Sequence, residues 1–231
     1  MKNSLYLLIS FVLFGCATEE QLINNGIVTD VEGNEYQTVI INGQEWMAEN
    51  LRTSTYADNV PIPNVTDITD WQSLTTGAWV HYENNSQNES PYGKLYNWYA
   101  VTSPRNVCPT GWHVPTNSEW ADLTDYLSGV APEGNIIPVA GGKMKSTGTQ
   151  YWESPNVDAT NESGFSGLPG GFCPGNNGLG FQHIGTFGWW WSSNNETTHL
   201  ANTYFLHNID GNVYTDLSNK KFGYSVRCIK D

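Results

Sequence analysis

The most specific segment of this chain reads Cys108-Pro109-Thr110-Gly111-Trp112-His113-Val114-Pro115-Thr116-Asn117-Ser118-Glu119-Trp120. Thr116 lies three residues before Glu119, so its hydroxyl can accept the backbone N–H of Glu119 while that carboxylate accepts the N–H of Thr116, as in a capping box. The apolar residues that follow recur at i, i+3 and i+7 and are Trp120, Leu123 and Leu127. The pattern predicts a helix that runs to about Ser128 and stops at Gly129.

Two hairpins are predicted on either side of this segment. Residues 36–41 and 44–48 are strand-like and flank Asn42-Gly43, a pair that favours a type I′ turn. Near the C-terminus, Asp210-Gly211 marks a second hairpin. The strands predicted in that part of the chain are residues 188–193, 201–207, 212–215 and 223–229.

The middle of the chain is rich in turn residues. Residues 52–87 read as surface loops with one strand at 78–82, and residues 92–101 read as a second short helix. A strand with a turn is predicted over 141–152. Residues 155–188 read as a long Gly-, Asn- and Pro-rich loop, which is typical of functional or family-specific regions. Two short helices, antiparallel sheets and long irregular loops predict an α+β fold.

The N-terminus has the features of an export signal. Lys2 precedes an apolar stretch that is too short to span a bilayer, so residues 1–15 are predicted to be a signal peptide. Residues 13–16 resemble a bacterial lipobox, which predicts lipidation of Cys16 and a membrane anchor. The alternative is a general secretory signal that leaves Cys16 as an odd thiol. Residues 16–33 are polar and predicted to form a flexible tether, followed by one domain over 34–231.

Charge and composition exclude some partners. Removing Lys2 with the signal changes the formal net charge from −13 to −14, and the basic residues are not clustered. Nucleic acid is therefore not an expected partner. About 200 residues with 39% hydrophobic and 13% aromatic content are enough for one sizeable core. Three cysteines follow Cys16, and their spacing permits three disulfide pairings.

Several segments together resemble the FISUMP family (Fibrobacter succinogenes major paralogous domain). They are residues 36–51, 92–100, 108–120, 161–171, 190–193 and 225–229. The resemblance implies a C-type-lectin-like fold related to the formylglycine-generating, sulfatase-modifying domains, but it implies no established activity. It also implies a disulfide between Cys108 and Cys228, because both lie inside family motifs. Cys173 is then left over. Residues 171–175 offer no neighbouring base or cation, so an unpaired, partly buried thiol is expected, and a reactive role is the alternative.

The residues offer little for catalysis or metal binding. The five histidines form no HxH or HxxxH pair, and the two close cysteines of the sulfatase-modifying relatives are missing before the final strand. Residues 153–156 and 191–196 only approximate the sugar-binding motifs of calcium-dependent lectins. No catalytic residue and no cofactor are therefore expected, although calcium stays a minor alternative.

The aromatic residues are the remaining candidates for ligand binding. The three consecutive tryptophans are Trp189, Trp190 and Trp191. In a strand, Trp189 and Trp191 share one face and Trp190 points to the other, so at least one face is expected to be core. A platform for sugar rings is the alternative reading of the triplet.

These observations predict a non-catalytic lipoprotein on the bacterial outer membrane, exposed at the cell surface. Its expected role is binding or adhesion to a polysaccharide or a surface protein. A hydrolytic or formylglycine-generating type of enzyme acting on a surface substrate, and a purely structural envelope protein, are the competing hypotheses. An exposed strip of coplanar aromatic rings favours the binder.

Overall fold

The computed structural model describes residues 26–130, 136–137, 139–176 and 180–231, which form fourteen strands and five α-helices. The strands are β1 (Ile27–Thr29), β2 (Glu35–Ile41), β3 (Gln44–Met47), β4 (Trp79–Val80), β5 (Leu95–Tyr96), β6 (Trp112–His113), β7 (Gly129–Val130), β8 (Ile136–Ile137), β9 (Gly170–Phe172), β10 (Gln182–Ile184), β11 (Phe187–Asn195), β12 (Leu200–His207), β13 (Tyr214–Asn219) and β14 (Ile229–Lys230). The helices are α1 (Ile68–Ser73), α2 (Glu89–Tyr92), α3 (Trp98–Val101), α4 (Asn117–Leu127) and α5 (Ala140–Met144).

The architecture is mixed α/β, with mostly antiparallel sheets and short helices, which confirms the α+β class at that level. None of the described helices has the length and apolar composition that crossing a membrane requires. The predicted signal peptide and Cys16 lie outside the described residues.

The main sheet has five strands in the order β1-β2-β3-β14-β6. The hairpin of β2 and β3 is confirmed, with Ile41 opposite Gln44 and positive φ angles of 52° at Asn42 and 76° at Gly43. These angles are what a type I′ turn requires. The last strand, β14, lies between β3 and β6, so the two ends of the domain meet in one sheet.

The first strand corrects the predicted tether. Ile27, Val28 and Thr29 pair with β2, whereas residues 16–33 were expected to be flexible. The turn after β1 is also fixed, because the hydroxyl of Tyr36 donates to the carboxylate of Asp30 over 2.7 Å. The sequence did not reveal this strand, because Ile27, Val28 and Thr29 make only three residues and the rest of 16–33 is mostly polar.

The predicted disulfide is present between Cys108 and Cys228, with their Cα atoms 5.9 Å apart. It joins the segment before β6 to the residue before β14, which are adjacent in the main sheet. Among the three cysteines that the structure describes, Cys173 alone is outside a disulfide, and it is buried.

The helix predicted after Pro115 is α4, and its capping box is present. The backbone N–H of Thr116 donates to the Glu119 carboxylate over 2.7 Å, and the N–H of Glu119 donates to the Thr116 hydroxyl over 3.3 Å. The buried residues of α4 are the predicted ones, Trp120, Leu123 and Leu127. Trp120 packs in an aromatic core whose other rings are Trp46, Phe165, Trp190 and Tyr204.

A second sheet consists of β11, β12 and β13, paired as an antiparallel meander. The expected hairpin around Asp210-Gly211 exists, but residues 208–213 form a longer connection instead of a two-residue turn. Its shape depends on the Asp210 carboxylate, which accepts the backbone N–H of Asn212 over 2.9 Å.

Three predictions for the middle of the chain were wrong. Residues 92–101 are not one helix, because Gly93 ends α2 with a φ of 73° and the backbone then pairs as β5 before Asn97 caps α3. Residues 141–145 belong mostly to α5 instead of a strand. Helix α1 was missed, although the Asp67 carboxylate caps it by accepting two backbone N–H groups. The four helices α1, α2, α3 and α5 are all shorter than two turns, so their periodicity is weak.

A buried cation connects the main sheet with the second one. The Arg227 guanidinium is fully buried and donates to the Asn50 side-chain oxygen over 3.0 Å and to the Ser166 carbonyl over 2.9 Å. The same Asn50 oxygen accepts the indole N–H of Trp190 over 2.9 Å. Asn50 therefore fixes β11 against the end of the first hairpin.

Candidate functional site

Five aromatic rings stack in one column on and beside the outer face of the second sheet. We call this set the aromatic column, and its members in spatial order are Tyr214, Phe205, Trp189, Tyr224 and Phe222. Successive ring centres are 4.9, 4.1, 5.2 and 5.7 Å apart, and the planes of neighbouring rings differ by 14° to 24°. Neighbouring rings are therefore nearly parallel along the whole column.

Strand register explains the first three members of the column. Trp189 lies opposite Phe205, and Phe205 lies opposite Tyr214, so three neighbouring strands place one ring each at the same level. Cross-strand partners on one face of a sheet are close enough for their rings to stack. The residues one step further along, Trp190 and Tyr204, face the core.

The last two members come from the C-terminal segment. The backbone N–H of Ser225 donates to the carbonyl of Trp189, and the N–H of Tyr224 donates to the carbonyl of Tyr96. These bonds bring Tyr224 beside Trp189. Tyr224 is only 3% exposed and stacks between Trp189 and Phe222. Phe222 then forms the outer end.

The geometry determines which parts of the rings are open to a ligand. Rings stacked this closely cover each other's faces, so most of the column presents ring edges. Tyr214 is the exception, because β13 is the edge strand and its ring has no further cross-strand neighbour in the sheet. Tyr214 is 36% exposed, and Trp189, Phe205 and Phe222 are partly exposed.

Hydrogen bonds fix the orientation of the Tyr214 ring. Its hydroxyl donates to the Asp210 carboxylate over 2.9 Å and accepts from the Asn212 amide over 3.1 Å. Asp210 and Asn212 both belong to the connection between β12 and β13. A ring held in this way is preorganised, which reduces the entropy cost of binding.

A buried lysine holds that connection in place. The ammonium group of Lys145 donates to the carbonyls of Val157, His207 and Asp210 over 2.7, 3.0 and 2.7 Å. Desolvation lowers the pKa of Lys145 to about 8. The lysine is therefore mainly charged at neutral pH. Its hydrogen bonds join the end of α5 to the end of β12.

Two histidines extend the aromatic surface beside the column. The ring of His207 stacks on Phe187 with centres 4.0 Å apart and planes 8° apart, and His183 contacts the edge of Phe187 at 4.9 Å. Burial lowers the pKa of His207 below its ordinary value, and Lys145 and His183 contribute in the same direction. His207 is therefore mainly neutral at pH 7.

One polar atom of the column lacks a partner. The indole nitrogen of Trp189 is shielded from solvent and makes no hydrogen bond with the described residues. An unpaired buried donor costs free energy, which makes it notable in a surface cluster.

Two of the three tryptophans that the sequence offered for ligand binding are buried. Trp190 and Trp191 are 1% and 0% exposed, so neither can stack on a ligand. Trp190 packs against Trp120 and Phe165, and the indole N–H of Trp191 donates to the carbonyl of Tyr96 over 2.7 Å. Trp191 was expected to share a face with Trp189, and it does, but Tyr224 covers it.

Sequence reasoning missed most of the column. The alternation Thr203, Phe205, His207 along β12 is visible in the sequence and indicates an aromatic face. The register that brings Phe205 between Trp189 and Tyr214 is not visible, because it depends on a bulge in β11 between Trp191 and Asn195 and on the long connection to β13.

The other sequence candidates are not members of the column. Asn156, from the lectin-like segment 153–156, is buried, and its amide donates to the carbonyls of Ser146 and Gly148. Burial raises the pKa of the Cys173 thiol to about 12, so this residue is a poor nucleophile. Within the described part of the chain, no group of three or more His, Cys, Asp or Glu residues is arranged to hold a metal ion.

Comparison with known proteins gave one match. The family model described as the Fibrobacter succinogenes major domain matches residues 39–230, which is most of the chain. No curated protein and no solved structure matched.

Proposed function

This chain belongs to the family of the Fibrobacter succinogenes major domain, and we propose that it is a non-catalytic binding module that holds a neutral polysaccharide on the aromatic column. The observation that carries the proposal is the partly exposed, regularly stacked set of five rings on the second sheet. A surface of this kind is unusual in a protein that has no ligand to cover it.

The open face of Tyr214 supports a sugar ligand. The face of an aromatic ring carries negative partial charge, and the C–H groups on one side of a pyranose ring carry weak positive partial charge, so the two stack. The Asp210 carboxylate and the Asn212 amide, which bind the Tyr214 hydroxyl, provide an acceptor and a donor for sugar hydroxyls beside that face. Further sugar units would follow the ring edges of Phe205 and Trp189.

Charge supports a neutral polymer over an anionic one. The chain carries a formal net charge of −13, and Asp210 and the exposed Asp216 flank the Tyr214 end of the column. A polymer of uronic acids or sulfated sugars would be repelled by these carboxylates at low ionic strength.

The finer fold and the location belong to the same proposal. We propose a C-type-lectin-like arrangement, which the pairing of β14 with β3 supports, since it brings the two ends of the domain together. Lipidation at Cys16 and a short tether would place the column outside the cell, attached to the outer membrane. A binding module for insoluble or surface-attached glycans requires such a position.

Affinity electrophoresis tests the proposal. The full-length lipoprotein, solubilised in detergent, is run through native gels that contain xylan, mannan, β-glucan or α-glucan, with and without calcium. We expect retardation by at least one neutral polysaccharide, independent of calcium. Tyr214→Ala and Trp189→Ala should each weaken that retardation at least tenfold.

Tyr126→Ala is the matched control, because Tyr126 is an exposed aromatic residue on α4, away from the column. It should leave retardation unchanged. If no polysaccharide retards the wild-type protein, or if the control weakens retardation as much as Tyr214→Ala, the proposed function is wrong and a structural envelope role is favoured.

A further inference from the structure

A polar cleft of about 340 Å³ lies between the first hairpin and the segments around residues 91, 146–151 and 166–168. Its lining combines charged, hydroxyl-bearing and apolar side chains, of which the main ones are Glu49, Arg52, Ser146, Tyr151, Pro91 and Leu168. The volume lies at the lower end of the range typical for small-molecule sites. The cleft shares no residue with the aromatic column.

A fixed ion pair forms one side of the polar cleft. Arg52 donates to Glu49 over 3.0 Å and lies over the ring of Tyr36, with its carbon 4.4 Å from the ring centre. The other Glu49 oxygen accepts the backbone N–H of Gln37 over 2.8 Å. Both charged groups are therefore held in position, yet a guanidinium has five N–H donors and a carboxylate about four acceptor sites. Unused donors and acceptors remain side by side.

The floor of the polar cleft is rigid. The amide of Asn50 donates to the carbonyl of Tyr92 over 2.9 Å, and its oxygen accepts from buried Arg227 and Trp190. Ser166, on the other side, accepts a hydrogen bond from Arg227 through its carbonyl. The floor therefore belongs to the hydrogen-bond network that joins the two sheets.

Ser146 supplies an unpaired hydroxyl. Its backbone N–H donates to Gly167 and its carbonyl accepts from Asn156, but its side-chain oxygen is shielded from solvent and has no partner among the described residues. Buried hydroxyls are normally paired. Because this oxygen is shielded from solvent, it can pair with a ligand in the cleft only after the serine side chain rotates toward the cleft.

We propose that the polar cleft binds one or two units of a neutral sugar. Two neighbouring hydroxyls of such a ligand can donate to Glu49 and accept from Arg52 without separating the ion pair, and a third can pair with Ser146 once the serine side chain has rotated toward the cleft. The ring of Tyr151 and the side chain of Leu168 offer apolar contact for the sugar C–H groups. A zwitterion such as an amino acid would have to break the Glu49–Arg52 pair to form its own, and an anion gains little because Glu49 compensates Arg52.

Saturation-transfer NMR and calorimetric titration on the full-length lipoprotein test this inference. The probes are glucose, galactose, mannose, N-acetylglucosamine and maltose, with glycine and glutamate as the zwitterion comparison. We expect at least one sugar to bind and neither amino acid to do so. Glu49→Gln keeps the shape of the side chain and should weaken sugar binding at least tenfold.

Ser146→Ala separates binding from folding. Removing an unpaired buried hydroxyl should leave the melting temperature unchanged or raise it, while the sugar dissociation constant rises severalfold. A purely structural role for Ser146 would move the melting temperature without moving the affinity.

Tyr126→Ala is the control for the site, because Tyr126 is exposed on α4, outside the polar cleft and the aromatic column, and should leave binding of these small sugars unchanged. The inference fails if no sugar binds, if the amino acids bind instead, or if Glu49→Gln and Ser146→Ala keep the sugar affinity of the wild type. Sugar binding that survives Glu49→Gln and is lost in Tyr214→Ala would be binding at the aromatic column, so failure of this inference is distinguishable from failure of the proposed function.

Discussion

Trp189 and Trp190 are neighbours in the chain, but they lie on opposite faces of β11 and have different surroundings. Trp190 is 1% exposed, packs among Trp120 and Phe165, and donates its indole N–H to Asn50. Trp189 is partly exposed, stacks between Phe205 and Tyr224, and leaves its indole N–H unpaired among the described residues.

The two faces differ mainly in how much of their rings is exposed to solvent. On the inner face every large ring has both packing and a hydrogen-bond partner where it needs one, except Trp120, whose indole nitrogen is unpaired within the described chain. On the outer face Trp191 and Tyr224 are also buried, whereas Trp189, Phe205 and Tyr214 stack on each other and stay partly exposed. We infer that the inner face serves stability and that the exposed part of the outer face serves binding.

The largest expected effect is on the free energy of unfolding, and it distinguishes the stability role of Trp190 from the binding role of Trp189. Trp190→Ala should reduce the free energy of unfolding by about 3 to 5 kcal/mol, since it opens a cavity in the core and leaves Asn50 short of a donor. Trp189→Ala should cost less than about 2 kcal/mol, because the side chain is only partly buried. Urea denaturation of both variants provides the measurement, and equal losses would contradict the division between the faces.

Removal of the disulfide should have the next largest effect. The Cys108–Cys228 bridge closes a separation of 120 residues and acts on the main sheet. The double variant Cys108→Ala, Cys228→Ala should lose about 2 to 5 kcal/mol of unfolding free energy. Below its melting temperature, the variant should keep the polysaccharide affinity of the wild type, because the bridge does not touch the aromatic column.

Treatment of both proteins with a reductant is the control for that experiment. Dithiothreitol should lower the urea midpoint of the wild-type protein and leave that of the double variant unchanged. If the double variant loses polysaccharide binding while it is still folded, the main sheet and the second sheet are energetically coupled.

The smallest expected effect is the pH dependence of stability. Its sign at His113, in the main sheet, is opposite to its sign at His207, beside the aromatic column. Burial opposes protonation of His113 at the edge of the main sheet, but hydrogen bonds with Asp231 at 2.6 Å and Glu119 at 2.9 Å outweigh it and raise its pKa above 6.5. Protonated His113 therefore stabilises the fold below pH 6.5, and this contribution disappears as pH rises through the raised pKa.

His207 beside the aromatic column has a lowered pKa, so its sign is reversed. The unfolded chain takes up a proton first as pH falls below 6.5, and the fold loses stability through the window between that value and the lowered pKa. His113→Gln and His207→Gln should thus change the pH dependence of stability in opposite directions. Each change should be at most about 1 kcal/mol, because the His113 side chain is 37% exposed and solvent screens its pairs.

Urea midpoints between pH 5 and 8, together with NMR titration of the two imidazoles, measure this contrast. Changes of the same sign in both variants would mean that His207 is not in the apolar setting that its stacking on Phe187 indicates.

Local signals in the sequence predicted the elements that local chemistry fixes. Asn42-Gly43 specified a turn because both residues tolerate positive φ, and Thr116 with Glu119 specified a helix start because their side chains pair with nearby backbone groups. Short elements such as β5 and α5 could not be predicted in this way. Their backbone pairs with distant partners, and tertiary context overrides a weak local preference.

The sequence by itself determined that Trp189 and Trp190 point in opposite directions, because a strand alternates its side chains. It also contained the family motifs that relate Cys108 to Cys228. Only the tertiary structure decided how each face is covered. Helix α4 and Phe165 pack on the Trp190 side, whereas Tyr224 covers Trp191 on the other side and Trp189 stays partly exposed. The aromatic column and the polar cleft likewise exist only after folding, because each gathers side chains from segments that are far apart in the chain.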